Sequence, residues 1–432
     1  MKKLLTLLLT LTLALGVFAS CGETNDNKEI ELLVKTNDVR VSTVVDATGV
    51  DYSNIKIGII TLHGEDSTYD KNFIDAMDEA SKELGFNYEL KVNIPETNKC
   101  AETARDLARG GCNIIFADSF GHEPFLMQVA SEFPNVQFCH ATGTYAHTEG
   151  IANYHNAFAS IYEGRYLAGV VAGMKLADMY NKGQLTDKNY DENGNVKVGY
   201  VGAYTYAEVV SGYTSWFLGV RNTFKEMVEG KSVSMQVQFT GSWFDPDLEQ
   251  SAAETLISKG CAIISQHADS MGAPSACEKA GVPNVSYNGS TYESCKNTFL
   301  ISSRIDWAPY FKYIATCVAK NENIQTDWCG TIASGSVALT ELNSDIVAEG
   351  TAAKIAAVKE QIENGTLKVF DTNTFTVEGK KLTSYGADVD SDAKFEHETE
   401  AISNGYFHES QYRSAPYFDI NIDGITLLNT AF

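Results

Sequence analysis

The sequence predicts an α/β protein of two doubly wound lobes, each built on a parallel sheet. Three observations point there. At 432 residues the chain exceeds what one hydrophobic core usually supports, which suggests two globular units. From Ile55 onward, short apolar runs alternate with helical ones, the rhythm of a parallel sheet covered on both faces. The run of strands then starts again about 141 to 148 residues further on, as in a duplicated unit.

In chain order, Lys2 and Lys3 precede an apolar run from Leu4 to Phe18. It has the length of a signal-peptide core and is too short to span a bilayer. The run closes with Phe18-Ala19-Ser20-Cys21, small residues before a cysteine. This resembles a bacterial lipobox, in which cleavage precedes a cysteine whose thiol then carries a diacylglycerol. Residues 1–20 are therefore read as a leader, Cys21 as lipidated, and 21–54 as a tether that begins polar and acidic. No later stretch reaches eighteen apolar residues, so the expected place is the extracytoplasmic face of the cell membrane, held by the lipid.

Ile55 to Leu62 reads as a buried strand, and Phe73, Met77, Ala80 and Leu84 then recur at helical spacing. Tyr88 to Val92 is a strand, Cys100 to Ala108 a helix stopped by Gly110-Gly111, and Asn113 to Asp118 a strand. A helix from Glu123 to Phe133 and a strand from Asn135 to His140 complete the first unit. Tyr162 to Leu176 is a helix rich in small residues and able to pack closely. Val196 to Val201, Ser232 to Phe239, Cys261 to Gln266 and Val282 to Tyr287 repeat the four strands. After Leu300 the chain crosses back and forth, with helices from about Asp306 to Lys320 and from Ile346 to Asn364, before a tail rich in Gly, Asp and aromatics. The first lobe is drawn as 55–161 with about 303–328, the second as 162–302 with about 329–432.

Lys+Arg 33 against Asp+Glu 56 gives a net charge of −23, which excludes a nucleic-acid backbone as partner and disfavours electrostatic docking on anionic lipid. Beyond Cys21, eight cysteines remain. An even number in an exported chain allows four disulfides, but Cys112, Cys139 and Cys261 sit in or beside apolar strand-like runs, so mostly free core thiols are expected. No C-x-x-C and no paired Cys/His spacing is present, so no metal is expected.

Two such lobes aim the loops after their strands at a shared cleft, where ligands bind. The first half offers Asp66-Ser67-Thr68-Tyr69-Asp70 after strand one, Asp118-Ser119-Phe120 after strand three and His140-Ala141-Thr142 after strand four. The second half offers Tyr204, Trp243-Phe244-Asp245, and His267-Ala268-Asp269, and the return crossing adds Asp306-Trp307. Aromatic faces among carboxylates suit a flat, weakly polar heterocycle with N–H or hydroxyl donors. Read singly, Phe120 and Trp243 could be core, Asp66 and Ser67 a helix cap, and Asp245-Pro246 a helix entry. Catalysis finds no motif: there is no G-x-S-x-G, no H-E-x-x-H and no phosphate loop, and His122, His140, His147 and His155 match no metal spacing. No enzyme and no cofactor is expected.

At this point the sequence resembles the Bmp family, the basic membrane protein or PnrA-like substrate-binding lipoproteins of ABC transporters. The stretches that carry the resemblance are Asp118-Ser119-Phe120-Gly121, Glu132-Phe133-Pro134-Asn135-Val136, His140-Ala141-Thr142-Gly143, Tyr162 to Gly173, Trp243-Phe244-Asp245-Pro246, Gln266-His267 with Asp269-Ser270, and Trp307 with Pro309-Tyr310. The resemblance implies a type I periplasmic-binding-protein fold whose two lobes hinge shut over one ligand, and delivery to a membrane permease powered by a separate ATPase. It implies a purine nucleoside or purine base as ligand, with Tyr69, Phe120, Trp243, Asp269 and Trp307 as contacts and Asp66, Tyr204, Glu208 and Asp306 as further ones. A sugar or other small polar ligand on the same fold, a sensory lipoprotein that signals to a membrane receptor, and a nucleoside hydrolase are the competing readings.

Overall fold

A computed structural model describes residues 31–390 and 397–432, so the leader and Cys21 lie outside the described residues. The chain divides after Glu31, and the following account concerns the unit from Leu32 to Phe432.

The first half runs β1 (Lys56–Ile60), α1 (Thr68–Leu84), β2 (Asn87–Lys91), α2 (Asn98–Arg109), β3 (Ile114–Ala117), α3 (Glu123–Ala130), β4 (Gln137–Ala141), α4 (Ala146–Glu149) and β5 (Tyr154–Ala159). The second half follows as α5 (Ile161–Asn181), β6 (Val196–Gly202), α6 (Ala207–Met227), β7 (Val233–Phe239), α7 (Pro246–Ser258), β8 (Ile264–Gln266), α8 (Gly272–Ala280), β9 (Asn284–Tyr287) and β10 (Phe299–Ile305). The chain then crosses to α9 (Ala308–Lys320) and β11 (Asp327–Gly330), and returns to β12 (Val337–Leu339) and α10 (Thr351–Glu363). The tail carries the short strands β13 (Gly386–Ala387), β14 (Thr399–Glu400), β15 (Ile402–Ser403), β16 (Tyr406–Phe407) and β17 (Ile425–Leu427).

Among the described residues, two large sheets form, ordered β11-β5-β4-β3-β1-β2 and β12-β10-β9-β8-β6-β7-β17. All neighbours are parallel except β12 on β10. Apart from β17, the two orders are the same permutation, so the duplicated pattern in the sequence corresponds to two lobes of one topology. The connections between sheets fall after Ala159, Ile305 and Gly330. Residues 303–305, drawn with the first lobe from the sequence, therefore belong to the second sheet. Strand β5 escaped the sequence reading because His155 and Asn156 interrupt its apolar pattern, although both are buried.

From Leu32 onward, the segment read as a tether is laid down on the fold. Val39 is buried, and Val41 donates its N–H to the Cys329 carbonyl of β11 at 2.8 Å while Cys329 donates back to Val39 at 3.1 Å. The Tyr52 hydroxyl bonds Thr316 Oγ1 of α9 at 2.9 Å. Apolar Val39, Val41 and Tyr52 give that stretch something to bury, which a solvated linker lacks. At the other end of the chain, β17 pairs with β7 and becomes the outer strand of the second sheet.

Helices α5 and α6 cross with their backbones in contact. A Cβ placed on Gly169 would run into the Trp216 carbonyl, one on Gly219 into the Tyr166 carbonyl, and one on Gly173 would stand 2.7 Å from the Val220 carbonyl oxygen. Backbone cannot rotate aside as a side chain can, so the helices would have to part. For Gly219→Ala, helix propensity favours alanine by about 1 kcal/mol, whereas overpacking costs about 1–3 kcal/mol or more. The overpacking should prevail, and thermal unfolding of Gly219→Ala without ligand should show a lowered Tm; an unchanged Tm would mean that the crossing yields.

Candidate functional site

A cavity lies between the lobes, walled by residues that follow the C-terminal ends of strands from both sheets. After β1, Leu62 and His63 lead to Ser67, which caps α1 by accepting the Asp70 N–H, so Tyr69 and Asp70 sit on the first helical turn. Ser119 and Phe120 follow β3, and Thr142 follows β4. From the second lobe come Glu208 on the first turn of α6, Trp243 after β7, His267 and Asp269 after β8, and Tyr287 at the end of β9. The lobes are in contact beside the cavity. Thr68 donates both its N–H (3.0 Å) and its hydroxyl (3.1 Å) to the Asp269 carbonyl, and Asn72 donates its side-chain amide to the Ile305 carbonyl.

Four carboxylates fasten loops of the cavity by accepting backbone N–H groups. Asp70 accepts from His63 N–H at 2.7 Å and from the Ser67 hydroxyl at 2.5 Å. Glu96 accepts from the Ser119 hydroxyl and Gly121 N–H, both at 2.6 Å, on either side of Phe120. Glu123 accepts from Thr144 N–H at 2.9 Å, Tyr145 N–H at 3.0 Å and the Tyr154 hydroxyl at 3.0 Å. That anchorage holds Thr142 at φ 65°, a left-handed conformation that costs a β-branched residue about 1–3 kcal/mol. Glu249 accepts from Ser270 N–H at 3.1 Å and Asp245 N–H at 3.2 Å, which ties the Trp243 and Asp269 loops together.

Behind the second-lobe wall lies Arg165 of α5, fully buried, with its guanidinium 3.8 Å from the centre of the Tyr287 ring. It donates to the Gln266 carbonyl at 3.0 Å, to the Tyr200 hydroxyl and to His267 Nδ1 at 3.0 Å. A guanidinium only donates, so Nδ1 is the acceptor and Nε2 carries the proton, which it gives to Glu208 Oε1 at 3.0 Å. Burial holds His267 below the usual histidine range, so it stays the neutral link in this chain. Burial also raises Asp269 and Asp118 well above the ordinary carboxylate range, with the Asp70 charge adding to both, and pushes Glu249 up to about 7. Among the described residues, neither Lys nor Arg lines the cavity. Among the described residues, no group of His, Cys, Asp or Glu is arranged to hold a metal ion.

The structure brings Tyr69, Phe120, Glu208, Trp243 and Asp269 together on the cavity wall. Four residues named from the sequence lie elsewhere. Trp307 is 1% exposed and stacks on Phe73 with centroids 4.4 Å apart, in the first-lobe core, where its apolar neighbours claim the ring. Asp306 pairs with Arg304 at 2.9 Å and accepts the Ala308 N–H at 3.0 Å, so it anchors the start of α9. Asp66 is exposed on the loop before α1. Tyr204 supports the site from outside: its ring stacks on Tyr206 and meets Trp243 edge-on at 5.1 Å. Sequence reasoning missed Asp70, Thr142 and His267 as wall residues although it quoted the loops that hold them. It also missed Tyr287, whose position matches His140 at the end of the fourth strand of the first half. The Tyr287 hydroxyl is buried with no hydrogen-bond partner among the described residues.

Comparison with known proteins fits this architecture. The profile of the Bmp family, described as ABC transporter substrate-binding protein PnrA-like, matches residues 57–373. The chain is 30% identical over 319 residues to a purine-binding protein of Brucella abortus, spanning 70% of this chain and 82% of that one. It is also 30% identical over 275 residues to a protein of Haloferax volcanii provisionally named an ABC transporter glucose-binding protein, spanning 64% of this chain and 63% of that one. A solved ABC transporter solute-binding protein from Conexibacter woesei has a like fold, with a TM-score of 0.56 at 20% identity over 73% of this chain and 98% of its own. Such proteins are binding proteins, not enzymes, and present small-molecule ligands to a permease outside the cytoplasm. With two lobes of one topology closed on a cleft, this chain belongs to the Bmp family of PnrA-like ABC transporter substrate-binding proteins.

Proposed function

We propose that the protein captures a purine nucleoside or purine base and is held at the membrane by a lipid on Cys21. The observation that carries this reading is the chemistry of the cavity wall. Tyr69, Phe120 and Trp243 offer aromatic faces, Asp70, Glu208 and Asp269 offer carboxylates, and the Tyr287 hydroxyl lacks a partner among the described residues. An uncharged, flat ligand with N–H donors uses all three, since rings stack on rings and carboxylates accept from N–H. A phosphorylated ligand would meet carboxylates with no lining Lys or Arg to offset them. The Brucella abortus relative, named as purine-binding, supports the same choice.

A free sugar is the second reading, because sugars also use aromatic faces and carboxylates and the Haloferax volcanii relative is named for glucose. Native mass spectrometry of the chain from Gly22 onward, followed by denaturation, should release a purine; release of a hexose would transfer the assignment to sugars. Trp243→Ala should weaken purine binding by about 1–3 kcal/mol in calorimetry. Tyr287→Phe should weaken it by about 1 kcal/mol through loss of one hydrogen bond. Unchanged affinities would take both residues out of the site.

The raised position of Asp269 sets a sign for pH. A ligand N–H on Asp269 favours the ionised carboxylate, whereas the free protein holds the proton to higher pH than an ordinary Asp. Binding then releases a proton, so affinity should rise from pH 5 to pH 8 and the rise should flatten in Asp269→Asn. Affinity that falls over that range would make Asp269 a donor to the ligand instead.

Anchoring at Cys21 gives a further expectation. Cys21→Ala should leave the protein soluble after cell fractionation and free of incorporated palmitate analogue; membrane retention of that variant would exclude the anchor.

A further inference from the structure

The stretch 428–432 lies outside the part matched by the family profile, and it ties together the two second-lobe loops that carry the aromatic wall. Strand β17 runs parallel to β7, and Leu428 continues it by donating its N–H to the Val237 carbonyl at 2.8 Å. Beyond Leu428 a side chain takes over from backbone pairing. Asn429 Oδ1 accepts the Phe239 N–H at 2.7 Å and Asn429 Nδ2 donates to the Phe239 carbonyl at 2.9 Å, so one amide bonds both polar groups of the last residue of β7. Ala431 grips the other loop. Its carbonyl accepts the Thr205 N–H at 2.7 Å, and its N–H donates to the Thr205 hydroxyl at 3.0 Å.

These bonds meet the wall at its aromatic side. Thr205 stands between Tyr204 and Tyr206, whose rings stack with centroids 5.3 Å apart. Both rings meet Trp243, and Tyr206 lies 6.0 Å from Phe120 of the first lobe. A Cβ on Gly241 would stand 3.7 Å from the Ala431 side chain, so the segment passes over the turn that leads to Trp243. A loop between a strand and a helix leaves N–H groups unpaired unless another segment brings acceptors, and the Ala431 carbonyl brings one to Thr205. Covering the edge of the second sheet needs β17 alone. The residues beyond Leu428 bond the loops instead.

We propose that 429–432 is a positioning element of the binding site: Asn429 and Ala431 hold the Tyr204–Tyr206 loop against the Trp243 loop, so that the Trp243 ring faces the cleft in one orientation. The segment acts through Trp243 and not on the ligand. The inference rests on the reading of Trp243 as a ligand contact and deepens it, whichever ligand the cleft takes.

Intrinsic fluorescence tests it, because Trp216, Trp307 and Trp328 are buried and Trp243 is the more accessible of the four tryptophans. A chain from Gly22 that ends at Leu428 should, without ligand, show steeper acrylamide quenching than the chain that ends at Phe432. In calorimetry it should bind adenosine or adenine about tenfold more weakly. A chain that ends at Ala431 loses only Phe432, which is 82% exposed, and should match the full chain in both readouts. Thr205→Val removes the hydroxyl acceptor from an otherwise intact chain and should move both readouts in the direction of the truncation. Thermal unfolding shows which variants fold, and Thr205→Val decides if the truncated chain does not. Folded variants with a lowered Tm but unchanged quenching and affinity would overturn the proposal and leave 429–432 as a brace of the sheet. Steeper quenching with unchanged affinity would take Trp243 out of the site, and this inference with it. If the full chain binds glucose and neither purine, the purine reading falls alone, and the same variants measured with glucose decide the positioning role.

Discussion

The cleft depends on carboxylates turned inward onto backbone. Loops after parallel strands expose N–H groups that neither sheet nor helix can satisfy, and in this chain Asp70, Glu96, Glu123 and Glu249 accept them. Each such bond fixes a neighbouring wall residue: His63, Phe120, Thr142 and Asp269 respectively. The acidity of the sequence is therefore partly structural. Acids that would read as solvated surface in a composition count are in fact the fasteners of the binding site.

The same arrangement keeps the wall anchorages within single lobes, clear of the connections between them. The three connections after Ala159, Ile305 and Gly330 are the covalent routes between the sheets, whereas every loop anchorage named above except that of Glu249 stays within the first lobe, and that of Glu249 within the second. Opening the cleft must break the Thr68–Asp269 and Asn72–Ile305 bonds but none of the anchorages. The tail complicates this division, because Ser414 reaches the first lobe while β17 is part of the second sheet. Motion about the connections has to carry that extra strap with it.

Much of this was legible in the sequence. Duplicated strand spacing marked the two lobes and strand-end loops held Tyr69, Phe120, Trp243 and Asp269, because position in a doubly wound fold follows periodicity; the choice of Tyr69 within its loop, and Glu208, came from the family resemblance. What periodicity cannot report is whether a side chain at a strand end faces the cleft or the core. Trp307 looked like Trp243 in the sequence, yet it opens a helix that packs on α1 and its ring goes to Phe73. Asp306 and Asp66 likewise carry a chemistry that a helix start or a solvated loop consumes as readily as a ligand does. Tyr287 was missed for the converse reason: it ends an ordinary apolar strand, and only the missing partner of its hydroxyl marks it. The tail was opaque, since its short strands and turns have no period to read.

The cysteines carry a consequence for how this molecule can be handled. Among the described residues, all eight from Cys100 to Cys329 are free and buried, and burial pushes the thiols of Cys100, Cys139 and Cys261 up to about 12. Buried, protonated thiols react slowly with electrophiles, and unfolding would release all of them together. The thiols become a silent clock within the protein, and alkylation measures how often the closed core comes apart.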